Sequence, residues 1–423
     1  MTLTLNAQQI NWQEMAPMPE PVSNNAVTTA MVGGVPYLFS FAGIDTSKDW
    51  FGIHNKAFRY NTATNVWDTI PALADPSGGK IAAGASTVKN KIYIIGGYHV
   101  ASNYSETSSD KVHIYDPETN TYLPDGAPIP VPIDDQVQAV WRDSLIYVIT
   151  GWSNTTNVAN VQIYNPAENG WLTGTSVPNN TNWKVFGGSG VIIGDTIYYA
   201  GGARSTGSFS AVSFFRKGYI NPEDPTNISW IGNNEPQALG YRMGASVWNA
   251  KPIWIGGSDV TYNFDGIAYN GSGGVPALER ITYYDPALGS LSQVSGFTPP
   301  AMDLRGIGKL GENAFLIAGG MAESQQVTDR TILVTIGGLT PVAQLKTPEN
   351  FSVYPNPASH TIRLQQEGRF VLEIIDASGR RIWRKRVEGG KDIDIKSLKV
   401  GVYTLNVYQK KVIMQVGRLV VVK

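Results

Sequence analysis

Short apolar runs that end in glycine recur along the first three quarters of the chain. The interval between their last glycines varies only from 51 to 63 residues. Self-similarity at roughly this period is typical of one supersecondary unit repeated many times. The pattern predicts six copies, with the glycine-ended run as a strand in each. The runs occupy residues 37–43, 92–97, 146–151, 197–202, 253–257 and 315–320.

A second signature runs in phase with the first. A tyrosine enters a turn built on Asn or Asp, usually followed by Pro, and a second large side chain follows seven residues later. Asn, Asp and Pro favour turns for their own physical reasons. The fourth unit departs from this pattern, with a longer excursion over 215–230. The pairs are Tyr60 and Trp67, Tyr115 and Tyr122, Tyr164 and Trp171, and Tyr284 and Leu291.

The two signatures together predict four strands in each unit. An inner strand, such as 82–88, comes first, the glycine-ended strand second, the tyrosine strand third and the tryptophan strand outermost. One such sheet cannot bury both of its faces alone, so we expect six sheets to pack around an axis. The last unit has strands near 306–310, 315–320 and 331–336 but lacks an outer one. The segment 11–19, with Trp12, predicts the missing strand and would close the ring and remove its exposed edges.

Together, the double glycines and tyrosine turns resemble the kelch-repeat family over residues 11–340. The resemblance implies an all-β, six-bladed kelch-type β-propeller closed by the N-terminal strand.

The pattern changes after residue 340. Residues 341–350 read as a linker, and 351–423 contain short alternating strands typical of a small β-sandwich. Residues 351–423 carry a net charge of +8 and the rest of the chain −9, a shift that supports a boundary here. We expect strands at 361–364, 370–376, 381–387, 391–395, 401–408 and 412–422.

Three motifs, at 353–357, 375–380 and 398–403, resemble the C-terminal sorting domain of type IX secretion in Bacteroidetes. The resemblance implies a secreted or outer-membrane surface protein, with the secretion machinery and a sortase-like peptidase as partners. That route needs a signal peptide. Residues 1–10 are interpreted as the remnant of one, with a short disordered start as the alternative. The motif residues are Tyr354, Pro355, Asn356, Pro357, Gly379, Gly401 and Tyr403.

Candidate ligand contacts lie where the inner strands and neighbouring loops should meet one mouth of the central channel. Arginine binds carboxylates bidentately, so one interpretation is a cationic, aromatic-rimmed pocket for an anionic or sugar-like ligand. The alternative is that these cations bond backbone carbonyls or loop acids and only order the channel. The loop 260–278 is a lid, a binding loop or a tolerated insertion. The candidates are Lys80, Gln136, Trp183, Lys184, Arg204, Tyr241, Arg242 and Arg305.

Little in the sequence indicates catalysis. The chain has no cysteine and only four histidines, with no close pair, so we expect no metal and no cofactor. The net charge of −1 gives no case for nucleic acid, and no apolar run is long enough for a transmembrane helix. The sequence favours a monomeric binding module for a glycan or a protein over an enzyme. The alternative is a sugar-ring isomerase, because residues 319–335 resemble the last blade of the sialic-acid mutarotase family, although no acid/base is evident.

Overall fold

The computed structural model describes residues 10–337, 353–365, 368–376, 381–409 and 412–422. The chain forms two compact units, and the second begins at Pro341. Strands make up both units, and among the described residues the helical structure is limited to single 3-10 turns. The turns are Trp50–Gly52, Pro236–Ala238 and Glu323–Gln325. The predicted signal-peptide remnant (apart from Ile10) and the predicted linker lie outside the described residues.

Six antiparallel sheets form the first unit, and four strands of each follow one another from the channel outward. From the innermost strand to the outermost, blade 1 contains β2 (Ala26–Val32), β3 (Val35–Ile44), β4 (Ile53–Asn61) and β5 (Val66–Ile70). Blade 2 contains β6 (Ile81–Val88), β7 (Lys91–Val100), β9 (Val112–Asp116) and β10 (Thr121–Leu123), with β8 (Glu106–Ser108) paired to β7. Blade 3 contains β11 (Val137–Trp141), β12 (Leu145–Ile149), β15 (Val161–Asn165) and β16 (Gly170–Gly174), with a small hairpin of β13 (Trp152–Ser153) and β14 (Thr156–Asn157).

Blade 4 contains β17 (Ser189–Ile193), β18 (Thr196–Ala200), β19 (Phe214–Asn221) and β20 (Asp224–Asn234). Blade 5 contains β21 (Gly244–Trp248), β22 (Lys251–Ile255), β23 (Arg280–Asp285) and β24 (Ser290–Ser295). Blade 6 contains β25 (Gly308–Lys309), β26 (Ala314–Ala318), β27 (Thr331–Ile336) and β1 (Ile10–Glu14). The predicted six-bladed propeller is confirmed.

Burial along the strands follows their position in the blade. Every residue of β12 and β26 is buried, because neighbouring blades cover both faces of the second strand. In β11 and β21, buried residues alternate with half-buried ones, because one face of the first strand lines the channel. The glycine-ended runs are mainly apolar because, like the strands of a parallel sheet, they are buried on both faces.

The tyrosine signature places large rings side by side on adjacent strands. The ring centroids of Tyr60 and Trp67 lie 5.3 Å apart, and those of Tyr164 and Trp171 lie 5.0 Å apart. The excursion predicted in the fourth unit is an extended hairpin of β19 and β20. There Gly218 pairs with Trp230, and a Cβ at Gly218 would lie 2.4 Å from that indole ring.

The N-terminal strand closes the ring as predicted, but it begins one residue earlier. β1 pairs antiparallel with β27, from Ile10 opposite Ile336 to Glu14 opposite Ile332. Ile10 and Ile336 are both buried in the core between blades 5 and 6. A strand contributed by the opposite end of the chain thus supplies the outer edge of the last blade.

Shortening the buried side chain of β1 should weaken this closure. We expect Ile10→Ala to lower the free energy of unfolding of the full chain by about 2 kcal/mol through lost burial and the cavity left behind. Trp12 lies on the same strand but is exposed, so Trp12→Ala should change stability by no more than about 0.5 kcal/mol. Urea unfolding followed by tryptophan fluorescence measures both. Equal effects would show that β1 does not close the propeller through its buried side chain.

The second unit has two packed sheets around one core. The first contains β28 (Val353–Tyr354), β29 (Thr361–Leu364) and β32 (Ile393–Asp394). The second contains β31 (Arg381–Glu388), β30 (Arg369–Ile375), β33 (Gly401–Gln409) and β34 (Val412–Val421), in that spatial order. Ile362 of the first sheet and Leu372 and Leu405 of the second are buried in the same cluster. The predicted small β-sandwich is therefore confirmed.

The sorting-motif residues occupy different environments in this unit. Tyr354, Pro355, Asn356 and Pro357 are exposed. Gly401 begins β33, and Tyr403 is buried and donates its hydroxyl to the carbonyl of Lys399 at 2.8 Å. Gly379 lies outside the described residues.

Candidate functional site

A ring of six backbone segments surrounds one mouth of the channel, where the inner strands begin. One residue of each segment has a positive φ, between 49° and 63°. Hydrogen bonds of 2.8–3.4 Å link each segment's N–H to the carbonyl of the preceding blade and form a closed circle. We call these residues the mouth ring: Asn24, Ala82, Asp135, Gly187, Arg242 and Asp303.

Three mouth-ring side chains form an ion network across the channel. The Arg242 guanidinium donates from Nε and Nη2 to Asp135 at 3.1 and 2.6 Å, and from Nη1 to Asp303 at 2.7 Å. Arg305 adds a 3.3 Å ion pair with Asp135 and donates to the carbonyl of Gln136 at 2.8 Å. Ser23 donates its hydroxyl to the free oxygen of Asp303. The network joins blades 3, 5 and 6 and is almost entirely buried.

The charges of this network balance. Burial opposes the charge of Arg242, but Asp135 and Asp303 more than offset it and hold its pKa well above the ordinary value. Burial raises the pKa of Asp303, although Arg242 and Ser23 act in the opposite direction. Since Arg242 and Arg305 both face aspartates, neither arginine of this network is a free cation.

The structure corrects the expected positions of Lys80 and Lys184, which do not belong to the mouth ring. On blades 2 and 4 the mouth-ring residues are Ala82 and Gly187 instead. Lys80 is buried in an ion pair with Asp75 at 2.6 Å. Lys184 is half-buried and meets Asn157 through its backbone carbonyl.

The other candidates are divided between core and mouth. The Trp183 ring packs against Phe214 at 5.6 Å within the core, and the Tyr241 ring lies beneath Arg242 at 5.1 Å. Gln136 is buried and donates to the carbonyl of Ile95 at 2.9 Å. Arg204 is half-buried on the loop after β18. Lys80, Arg242 and Arg305 contact aspartates or backbone carbonyls. These contacts agree with the alternative interpretation, in which the cations order the channel.

A cavity of about 110 Å³ opens at the mouth, on the side of the loops that follow the glycine-ended strands. Half of its lining is aromatic, and the other half carries three carboxyls, an amide and Arg242. The aromatic rings meet edge to face, as between Phe209 and Tyr269 at 4.8 Å and Trp152 and Phe209 at 5.6 Å. The lining residues of this mouth pocket are Tyr98, Glu106, Asp134, Asp135, Trp152, Phe186, Phe209, Arg242, Asn263 and Tyr269.

The surroundings raise the pKa of two pocket carboxyls. Burial, and then the charge of Asp135, raises the pKa of Asp134 well above its ordinary value. Asp134 also accepts a hydrogen bond from the Ser108 hydroxyl at 2.5 Å. Glu106 is exposed as a whole residue, but partial desolvation of its carboxyl at the pocket raises its pKa, followed by the charge of Asp135 and against the opposing charge of Arg242. A protonated carboxyl can donate as well as accept hydrogen bonds.

Sequence reasoning missed most of these groups. Asp134 and Asp135 stand directly before an inner strand, a signal that was available but was outweighed by the nearby cations. Asn263 and Tyr269 belong to the loop 260–278, for which the sequence left a lid, a binding loop or a tolerated insertion open. Glu106 begins β8, and no recognisable sequence motif marks it.

A larger cavity of about 610 Å³ lies along the inner strands beyond the mouth ring. Its lining consists of small, hydroxyl-bearing and aliphatic side chains, with Thr28 and Thr87 3.1 Å apart, and it also includes Gln136, Gln138, Arg305 and Lys309. It lacks aromatic rings, so aromatic and polar groups come together at the mouth pocket.

Two histidines that are 14 residues apart in the sequence, His99 and His113, lie near the same carboxylate. His113 Nε2 lies 3.2 Å from Asp75, and His99 Nε2 lies 3.7 Å from the same oxygen. Within the described residues, no group of three or more potential ligands is arranged to hold a metal ion. None of the helices in this part of the chain is long and apolar enough to cross a membrane.

The fold and motifs define a kelch-repeat propeller followed by a sorting domain. Residues 2–202 match the KLHDC2/KLHL20/DRC7 Kelch-repeats domain, and residues 352–422 match the Secretion system C-terminal sorting domain. The chain is therefore a kelch-repeat protein with a C-terminal sorting domain, and this domain indicates secretion or export to the cell surface by its dedicated machinery.

Individual relatives match parts of the propeller. Kelch-like protein terF of Aspergillus terreus is 26% identical over 257 residues, which cover 59% of this chain and 52% of that protein. N-acetylneuraminate epimerase of Haemophilus influenzae is 33% identical over 101 residues, or 24% of this chain and 26% of that enzyme. The chain thus spans about half or less of these relatives. A solved structure titled "Structure of YjhT" has a TM-score of 0.59 and 14% identity, and covers 76% of this chain and 97% of that chain; this similarity shows the fold alone.

Proposed function

We propose that the propeller is an extracellular binding module for a glycan and that the mouth pocket binds one of its neutral sugar units. The observation that carries this proposal is the pairing of five aromatic rings with three carboxyls and an amide around one small cavity. Aromatic faces bury the apolar faces of a sugar ring, while carboxyls and amides bond its hydroxyls. A concave site with a few convergent polar groups is typical of small-molecule recognition.

The charge of the pocket favours a neutral ligand over an anionic one. Arg242 and Arg305 both already face Asp135, and Glu106 and Asp134 add further carboxyls. A ligand carboxylate would have to compete with Asp135 and Asp303 for Arg242. Removing a charge from water without a partner costs several kcal/mol, so an anionic sugar gains little here.

This proposal predicts that Tyr269→Ala weakens sugar binding about tenfold or more, because one wall of the pocket loses its ring. Isothermal titration and thermal shift at pH 7 with glucose, galactose, mannose, fucose, N-acetylglucosamine and N-acetylneuraminate measure the effect. We expect a neutral sugar to raise the melting temperature and N-acetylneuraminate not to. The matched control is Tyr219→Ala, an exposed tyrosine at the far end of blade 4.

Loss of binding in both variants would show that the site lies elsewhere. Failure of every sugar to bind would contradict the glycan proposal and leave a protein-interaction scaffold.

A second candidate, a sugar-ring isomerase, is favoured by the partial similarity to N-acetylneuraminate epimerase. Asp134 and Glu106, which line the pocket and have raised pKa values, would be the acid/base groups of such an enzyme. In the same screen, NMR exchange between the anomers of N-acetylneuraminate tests this candidate. If the protein accelerates this exchange, if Asp134→Asn abolishes the acceleration, and if the rate falls as pH rises through the raised pKa of Asp134, the isomerase becomes the better proposal than the binding module.

The remaining features of export are also proposals. A signal peptide would precede the propeller, and a sortase-like peptidase would remove the sorting domain before release or surface attachment. We propose a monomer, since the blades close on themselves through β1.

A further inference from the structure

Three large aromatic side chains are exposed on the loops of blades 1 and 2, on the same face as the mouth pocket. Trp50 is 37% exposed, Phe51 63% and Tyr104 59%. We call these three residues the aromatic platform. Isolated exposed apolar residues need no explanation, but a contiguous group of large ones marks an interaction site.

The platform is held in position by one carboxylate. Asp49 accepts hydrogen bonds from the backbone N–H of Trp50 at 2.7 Å and from the Tyr104 hydroxyl at 3.0 Å. The Trp50 and Phe51 rings meet edge to face at 5.8 Å. The loop below is tightly wound, since a Cβ at Gly52 would lie within 2.2 Å of Asp45 and Ser47. Asp49 therefore ties a loop of blade 1 to a loop of blade 2.

The platform is continuous with the mouth pocket through the hairpin of β7 and β8. Glu106 lines the pocket and pairs with Val100 across this hairpin. Tyr104 lies only two residues earlier, in the turn closed by the bond from its N–H to the carbonyl of Ala101 at 2.8 Å. The platform residue Tyr104 and the pocket residue Glu106 therefore belong to the same short hairpin.

The pocket alone is too small to hold a whole ligand. Its volume of about 110 Å³ is well below the roughly 300–1,000 Å³ of sites that enclose drug-sized molecules. Contacts outside the pocket must therefore supply part of the binding energy. Flat, pre-positioned rings supply contact area at low entropic cost.

We propose that the aromatic platform is an extended subsite that binds the second and third units of a neutral oligosaccharide whose first unit occupies the mouth pocket. This inference rests on the proposed function and specifies its ligand as a chain. The rings stack on the apolar faces of successive sugar units, and Asp49 orients the rings. The uncharged character of the three side chains fits the neutral ligand that the pocket favours.

Titration of the full-length protein with sugars of increasing length tests the proposal. The probes are glucose to cellopentaose and N-acetylglucosamine to chitopentaose, measured by calorimetry and by intrinsic tryptophan fluorescence. We expect at least one series to bind about tenfold more tightly at three units than at one, equivalent to about 1.4 kcal/mol. Phe51→Ala and Tyr104→Ala should each remove most of this gain while leaving the affinity for the monosaccharide unchanged. Tyr219→Ala, with its exposed ring on blade 4, serves as the control.

The outcomes separate this inference from the proposed function. Affinity that does not increase with length, or an increase that survives both substitutions, overturns the platform while the mouth pocket stands. Failure of both series to bind at any length also overturns it, and the monosaccharide screen alone then decides the proposed function. If the platform variants instead abolish binding to a purified protein ligand, the surface serves protein docking.

Discussion

Replacing Arg242 with alanine is expected to lower the free energy of unfolding by about 3–5 kcal/mol, because Asp303 would lose the cation it pairs with and Asp135 would keep only its 3.3 Å pair with Arg305. Arg242 is the only connection between Asp135 of blade 3 and Asp303 of blade 6 among the contacts the structure describes at the mouth. The loss therefore falls on the centre of the ring, where the blades meet. Chemical unfolding of the full-length protein followed by tryptophan fluorescence measures it.

Arg142→Ala is the matched control. Arg142 also forms a bidentate pair with an aspartate, Asp195, but on the exposed surface. Exposed pairs of this kind contribute about 0–1 kcal/mol. Equal losses in the two variants would contradict a structural role for the central network. A large loss at Arg242 also means that an Arg242 variant cannot separate binding from folding, so Tyr269 is the better probe of the pocket.

Much of the fold could be predicted from the sequence because the blades repeat one burial pattern. The strand expected at 331–336 is β27, and that expected at 361–364 is β29. Burial on both faces forces the second strand of each blade to be apolar, and its glycines adopt positive φ, as at Gly201 and Gly202. These constraints are local, and they are therefore visible in the sequence.

The mouth could be predicted only in part because its register is set by neighbouring blades. Ala82 and Gly187 enter the ring through backbone hydrogen bonds to residues more than 50 positions away. No local pattern distinguishes Ala82 from Lys80, two residues earlier. The ionic partners of Arg242 lie 107 and 61 residues away in the sequence. Because the sequence does not reveal this pairing, it indicates a positively charged mouth, whereas in the structure the charges of the arginines and aspartates balance.

A second large effect is expected at the buried pair of Asp75 and Lys80. Both side chains are 0% exposed, and their charged atoms lie 2.6 Å apart. Burial would raise the pKa of Asp75, but hydrogen bonds from His113 and the charge of Lys80 hold it below its ordinary value. Asp75→Asn keeps the shape and leaves the ammonium unpaired, so we expect a loss of about 3–5 kcal/mol at pH 7. Urea unfolding measures it.

The pH dependence and a double mutant identify the cause of that loss. Burial lowers the pKa of Lys80, and Asp75 opposes this shift, so the pKa of Lys80 in the folded variant should fall further below the unfolded value of about 10.4. Between these two pKa values the unfolded chain binds more protons, and stability therefore rises with pH. The loss in Asp75→Asn should thus be smaller at pH 9.5 than at pH 7, and adding Lys80→Met should recover most of it.

Lys251 and Asp285 form the control pair. Their charged atoms also lie 2.6 Å apart, but the side chains are 19% and 14% exposed, so Asp285→Asn should cost about 1 kcal/mol or less. If the loss at Asp75 does not change with pH and survives Lys80→Met, it arises from the missing bonds to His113 and not from a buried charge.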